Sequence, residues 1–197
     1  PQPKQRAGLT WGTGTATLSK VSTYIGSTYI SNGMFRTGVT NVMPTATVVR
    51  VSTGATFNLA SNNQVIAALD GAGSVVLGSG RLTTGANNSD TTFSGAMSGS
   101  DGLTKRGTGI MTMSGVNTYS GATFVSNGVL IVSGSSASSA HTVSSGAKLM
   151  GDGPIGALTI GGTVDPGNAV SHAARLVCGA VTLVAGGDYR LNMSTAS

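Results

Sequence analysis

The sequence predicts an all-β fold, a right-handed parallel β-helix with essentially no α-helix, and three observations carry that prediction. The first is an internal repeat. From Gly12 and Gly107 onward two stretches align without a gap at an offset of 95 residues, and 13 of 27 aligned positions are identical. They include Gly12/Gly107, Gly14/Gly109, Tyr24/Tyr119, Gly26/Gly121 and Ser31-Asn32-Gly33 against Ser126-Asn127-Gly128. A long-period repeat of short strands and turns is the mark of a stacked architecture. The second is composition. Gly supplies 31 of 197 residues, charged residues are 9%, and all six acidic residues are Asp. With no Glu and only four Lys, strong helix formers are scarce, whereas Thr, Val, Ser, Gly and Asn favour pleated, turn-rich backbone. The third is period: apolar residues recur at every second position over three to six residues, and no window repeats them at i, i+3, i+4 and i+7.

Taken in order, residues 1–8 read as a polar tail. Strand segments follow at 15–18, 28–31 and 34–36, the last two flanking the turn signal Asn32-Gly33. Further segments fall at 47–52, 56–59, 65–69, 74–77, 81–83, 91–93 and 96–97, and the third to fifth of these are each ended by Gly, Asp or Asn. The second repeat copy then begins. After it come 129–132, 141–144, 148–150, 157–160, 176–184 and 189–193, with the polar loop SGSSASSA between the first two. Pro154 and Pro166 are placed in turns, where a missing N–H costs little. The spacing also admits a sandwich or barrel. The long repeat and the Gly/Asn strand ends suit a solenoid better. Coils of roughly 20 residues, stacked at about 4.8 Å, would make a rod of about 40 Å from eight or nine coils. Val, Leu, Ile, Ala, Phe and Met would face in, and Thr and Ser out.

Charge and cysteine narrow the function classes. The net charge is +5, but the eleven cations are scattered and Lys105-Arg106 is the only adjacent pair, so no basic stripe points to nucleic acid. That pair reads as a solvated turn, with contact to anionic glycans or lipopolysaccharide as its functional alternative. The single Cys178 excludes an internal disulfide framework and reads as a small buried hydrophobe in a strand. No apolar run approaches 18 residues, so nothing spans a membrane as a helix. The start, PQPKQRAG, lacks a signal-peptide pattern, which implies a removed signal or an internal fragment.

No constellation predicts catalysis. Ser100-Asp101-Gly102 has the letters of a serine-protease motif in the wrong order, and His141 and His172 show no carboxylate partner in sequence. Asp70, Asp90, Asp101, Asp152, Asp165 and Asp188 are spread along the chain and read as turn formers. Stacking of coils remains a route by which they could cluster into an acid/base pair or a Ca²⁺ site. Asn62-Asn63, Asn87-Asn88, Asn117, Asn127 and Asn168 suggest stacked ladders at turns. Tyr24 and Tyr119 suggest a repeated packing or capping task. No catalytic, cofactor or metal residue is assigned.

The residues that repeat carry a resemblance. GLTKRGTGIMTMSGVNTYSGATFVSNGVLIV is similar to the passenger-associated repeat of bacterial autotransporters, and 52–102 and 143–169 resemble the coils between and after such repeats. Trp11, Lys20 and Ile25 depart from the pattern in the N-terminal copy, and VSHAAR at 170–175 replaces a short link. The resemblance implies β-helix repeats over 9–169, with copies at 9–38 and 103–133, and last rungs at 170–197 leading toward a passenger stem. It further implies a non-enzymatic segment displayed at the cell surface or secreted by type V secretion, with a covalent C-terminal β-barrel in the parent chain. There the rod would be a stalk, an adhesin or a self-association surface, with host or neighbouring-cell glycans or proteins, or itself, as partner, and homo-oligomers or filaments as its assemblies. The alternatives are a subunit of an extracellular fibre or sheath, and a polysaccharide-active β-helix enzyme fragment.

Overall fold

The computed structural model describes residues 8–167 and 175–189. The strands are parallel throughout and form three sheets wound into a solenoid. The first sheet stacks ten strands, from Leu9–Trp11 through Thr28–Ile30, Val48–Val51, Ala68–Gly71, Thr91–Phe93, Ile110–Met113, Val129–Val132, Lys148–Gly151 and Thr163–Pro166 to Asp188–Tyr189. The second has five, running from Thr15–Leu18 to Ala96–Gly99, and the third seven, from Gln64–Val65 to Val181–Leu183. The chain visits them in that order and returns to the first, so ten strands there mark about nine turns. Where the second or third side carries no strand, bridges such as Val116 to Ser135 and Ser136 to Ile155, or Ser22 N–H to Val42 C=O, keep the coils in step.

The period-2 pattern explains the core. Alternate residues of each short strand point in, and parallel register stacks them coil upon coil. In the first sheet Val49 lies under Leu69, and Met111, Leu130, Leu149 and Val164 follow one another. In the second, Phe35, Phe57, Val75 and Met97 form one column, with the Phe35 and Phe57 rings 6.3 Å apart. All of these are buried. Each such side chain contributes about 1.5–3 kcal/mol by leaving water.

Glycine fixes the corner after the first sheet. Gly73, Gly95, Gly115, Gly134 and Gly153 stack there, and a Cβ on any of the last four would be driven into the carbonyl oxygen of the glycine one coil before. The close approach of backbones, rather than an unusual φ, requires glycine at this corner.

The two repeat copies do not sit above one another. In the first, Leu9–Trp11 and Thr28–Ile30 lie in the first sheet, and Thr15–Leu18 and Met34–Thr37 in the second. In the other copy the equivalent strands Leu103–Lys105 and Thr123–Val125 lie in the third sheet, and Ile110–Met113 and Val129–Val132 in the first. The same sequence pattern is therefore placed one face further back around the prism. Fourteen faces separate the copies, four full turns of three plus two more.

Four details differ from the sequence reading. The segment 65–69 is two strands, Gln64–Val65 and Ala68–Gly71, because buried Ile66 and Ala67 carry the chain around a corner. Within 176–184 only Val181–Leu183 is strand. Pro166 ends the strand Thr163–Pro166 instead of lying in a turn, a position where a strand tolerates a missing donor. Several threonines, among them Thr28, Thr37, Thr47 and Thr123, are buried, against the expectation that Thr faces out. The segment 189–193 extends beyond the described residues, as does VSHAAR apart from Arg175.

Candidate functional site

The carboxylates considered for catalysis are spread over the rod. Asp70 Oδ2 accepts from Arg50 Nε at 2.9 Å and Nη2 at 2.6 Å. Asp101 pairs with Arg81 at 2.5 Å, and Asp165 with Lys148 at 2.7 Å. Asp90 Oδ1 accepts from the Ile110 N–H, and Asp152 is exposed beside the strand end at Gly151. Asp188 opens the strand Asp188–Tyr189. Among the described residues no three His, Cys, Asp or Glu side chains gather to hold a metal. Ser100 Oγ donates to Gly78 C=O, and Asp101 Oδ1 accepts from Gly102 N–H, so Ser100-Asp101-Gly102 ties a turn. Cys178 is half-buried against the core but outside any strand.

His141 is buried in the strand His141–Val143. Nδ1–H donates to Ser139 C=O at 2.9 Å, which leaves Nε2 to accept from the Ser136 hydroxyl at 3.1 Å. Burial holds its pKa down at about 4, so the ring is neutral across the physiological range. A neutral ring with both nitrogens committed, and no carboxylate behind it, is a structural histidine. His172 lies outside the described residues.

The paired tyrosines have the task the repeat implied. Tyr24 Oη meets Thr28 Oγ1 at 2.5 Å, Thr28 meets Thr47 Oγ1 at 2.9 Å, and Thr47 donates to Gly26 C=O. In the other copy Tyr119 meets Thr123 at 2.6 Å, Thr123 meets Ser139 at 2.8 Å, and Ser139 donates to Gly121 C=O. Each relay runs from one coil to the next and ends on the loop that began it. Burial raises both phenol pKa values. This arrangement is what buries Thr28, Thr47, Thr123 and Ser139: a hydroxyl is stable in the interior when its hydrogen bonds are made.

Lys105-Arg106 is not a solvated turn as a pair. Arg106 is exposed, but Lys105 points inward and is 1% exposed. Its Nζ donates to Arg106 C=O at 2.7 Å, Gly107 C=O at 2.9 Å and Asn127 C=O at 3.3 Å, which uses all three protons at a corner. Desolvation lowers its pKa to about 8, with Asp90 opposing the shift. The asparagines likewise do not stack on one another. Asn63 Oδ1 accepts from Arg81 N–H, Asn88 Oδ1 from Thr108 N–H and Asn117 Oδ1 from Met97 N–H, each joining neighbouring coils. Asn127 accepts from its own neighbour Gly128. Asn168 is outside the described residues.

Arg81 was not singled out by sequence. It pairs with Asp101, donates to Leu103 C=O at 3.3 Å and Ala122 C=O at 3.0 Å, and lies 4.9 Å over the Phe124 ring. It thus clips three successive coils on the outside of the third sheet. The only cue in the sequence is the spacing 81, 101–103, 122–124 at the coil period.

The outer faces are where this rod can meet other molecules. On the third sheet one outward column runs Val65, Thr83, Thr104, Phe124, Thr142, Thr159, Thr182. On the first sheet Asp70, Asp90, Thr91, Thr92, Ile110, Thr112 and Ile131 line a groove of about 490 Å³.

The passenger-associated transport repeat family matches the chain at residues 11–35 and 103–132, the two copies described above. An extracellular serine protease of Serratia marcescens is 36% identical over 115 residues, which are 56% of this chain and 11% of that protein. The adhesin BmaC autotransporter of Brucella suis biovar 1 (strain 1330) is 36% identical over 99 residues, 48% of this chain and 3% of that protein. The chain therefore spans a small part of either relative. No solved structure matches.

Proposed function

For a chain of passenger-associated transport repeats, similar to autotransporter passengers and so surface-displayed or secreted, we propose a non-enzymatic role as a stiff stalk that adheres to other surfaces or to itself. The observation that carries this reading is the outer column of the third sheet. Five of its seven residues are threonine at the spacing of the coils; Thr142, Thr159 and Thr182 are accessible, the one aromatic, Phe124, is 37% exposed, and Thr83 and Thr104 are buried. Such a face offers many modest, neutral contacts along a rigid line. Affinity then grows with the number of contacts, as in multivalent binding. The charged side chains support the reading in another way. Arg50, Arg81 and Lys148 are each paired with an aspartate within the rod, so these three cations are not free to hold a charged substrate.

The relative named as a serine protease sets the competing reading. The test uses polystyrene beads coated with the purified chain. Coated beads are expected to attach to epithelial or bacterial cells, or to cluster with one another, well above bare beads. Beads indistinguishable from bare ones would overturn the proposal, and hydrolysis of casein by the purified chain would favour the protease reading.

A further inference from the structure

We propose that the groove on the first sheet is a binding site for a neutral, extended saccharide lying along the rod axis. This rests on the adhesive reading above and names the ligand class and the place.

The groove crosses four coils. Asp70 belongs to the first, Asp90, Thr91 and Thr92 to the next, Ile110 and Thr112 to the third, and Ile131 to the fourth. Three of its features fit a sugar chain. The hydroxyls of Thr92 and Thr112, side by side in register, make no hydrogen bond to the protein. Each carboxylate has one oxygen engaged, Asp70 Oδ2 by Arg50 and Asp90 Oδ1 by Ile110 N–H, and the other oxygen free to accept. A row of donor/acceptor hydroxyls beside carboxylate acceptors is the complement of a row of ring hydroxyls. Ile110, with the edge of Ile131 (8% exposed) beside it, supplies a small apolar patch for the C–H face of a pyranose ring, so the site pairs apolar area with a few placed polar groups.

Charge selects the class. Asp70 is balanced by Arg50, and Asp90 accepts the Ile110 N–H. The groove therefore carries at most the single negative charge of Asp90. An anionic glycan would place its charges beside that carboxylate and be repelled. The polar groups recur at the coil spacing of about 4.8 Å. That is close to the rise per residue of an extended pyranose chain, so a polymer parallel to the axis passes Asp70, Thr92 and Thr112 on three successive coils.

The experiment is an array of immobilised neutral and acidic oligosaccharides probed with the whole chain, followed by titration calorimetry with the best-retained neutral one. Retention is expected on neutral linear oligosaccharides. The double variant Thr92→Val, Thr112→Val should bind at least ten-fold more weakly. Thr17→Val, on the outside of the second sheet, should bind as the parent does. Circular dichroism melting should be the same for all three proteins, because both substituted sites are on the surface. Retention of acidic glycans only, retention of none, or unchanged binding by the double variant would each overturn the site. An empty array together with adhesive beads removes the groove and leaves the adhesive reading standing. Beads that attach to nothing remove the adhesive reading whatever the array shows.

Discussion

Arg81 shows how much one side chain can do in a stack of short strands. Its guanidinium holds a carboxylate, two carbonyls and an aromatic face on the two coils that follow its own. Lysine has neither the planar fork nor the reach for several acceptors at once. Arg81→Lys is expected to lower stability by about 1–3 kcal/mol, read as a shift in the urea midpoint. The relay at Tyr119 predicts an order. Tyr119→Phe removes one end and leaves Thr123 bonded to Ser139, costing about 1 kcal/mol, whereas Thr123→Val strands the buried Tyr119 hydroxyl and costs more. His141 gives a pH dependence with a definite sign. Its pKa is about 4 in the fold and about 6.5 when unfolded, so the unfolded chain binds the extra proton between those values. Its contribution is intact above pH 6.5 and falls by about 3 kcal/mol as the pH drops to 4. His141→Gln should flatten that part of the stability profile, measured by denaturation at each pH. None of these roles could be read at a single position. Tyr24 and Tyr119 were visible as a pair because they repeat, but Arg81 and Lys105 act on residues one or two coils away, and sequence does not show which residues stacking makes neighbours.

At the scale of the element, strands of two to five residues hold together because backbone packs on backbone at the corners. Gly115→Ala is expected to destabilise by at least about 2 kcal/mol, since its Cβ would meet the Gly95 carbonyl and neither backbone can yield. Gly146→Ala is the control. There φ is +80° but nothing stands within 4 Å, so the cost is only the conformational strain introduced, about 1 kcal/mol. Thermal melting of the two variants separates collision from strain. The strands themselves were largely legible, because apolar and polar residues alternate in most of them. The errors came where burial continues around a bend, as at Ile66 and Ala67, and where proline ends a strand, as at Pro166. Period alone does not mark a corner whose residues stay buried.

Across the whole molecule, stability should be graded along the axis, because each coil is held mainly by its immediate neighbours. Val181 and Leu183 continue the inward columns of Leu158 and Ile160, yet are 50% and 66% exposed, while the equivalent residues one coil before are buried. Native-state hydrogen exchange is expected to be slowest in the central coils, such as Ala68–Gly71 and Ile110–Met113, and fastest at Val181–Leu183. Uniform protection from end to end would contradict this gradient. The repeat made the architecture readable at this scale, and the outer groove was hidden from the sequence for the same reason as Arg81: its walls come from four separate coils.

The offset of the two repeats by two-thirds of a turn has a consequence for how such rods grow and vary. The motif is indifferent to compass direction, so the prism behaves as a screw with three equivalent flats. A third copy at the same interval would begin on the second sheet, where neither of the first two begins, and a fourth would return to the starting bearing. Duplicating a segment of this length would therefore lengthen the shaft and distribute its features around the circumference, giving a mast with no front or back. Inserting or deleting a single face-length would instead rotate everything beyond it by a third of a circle, re-aiming the far end without altering any coil.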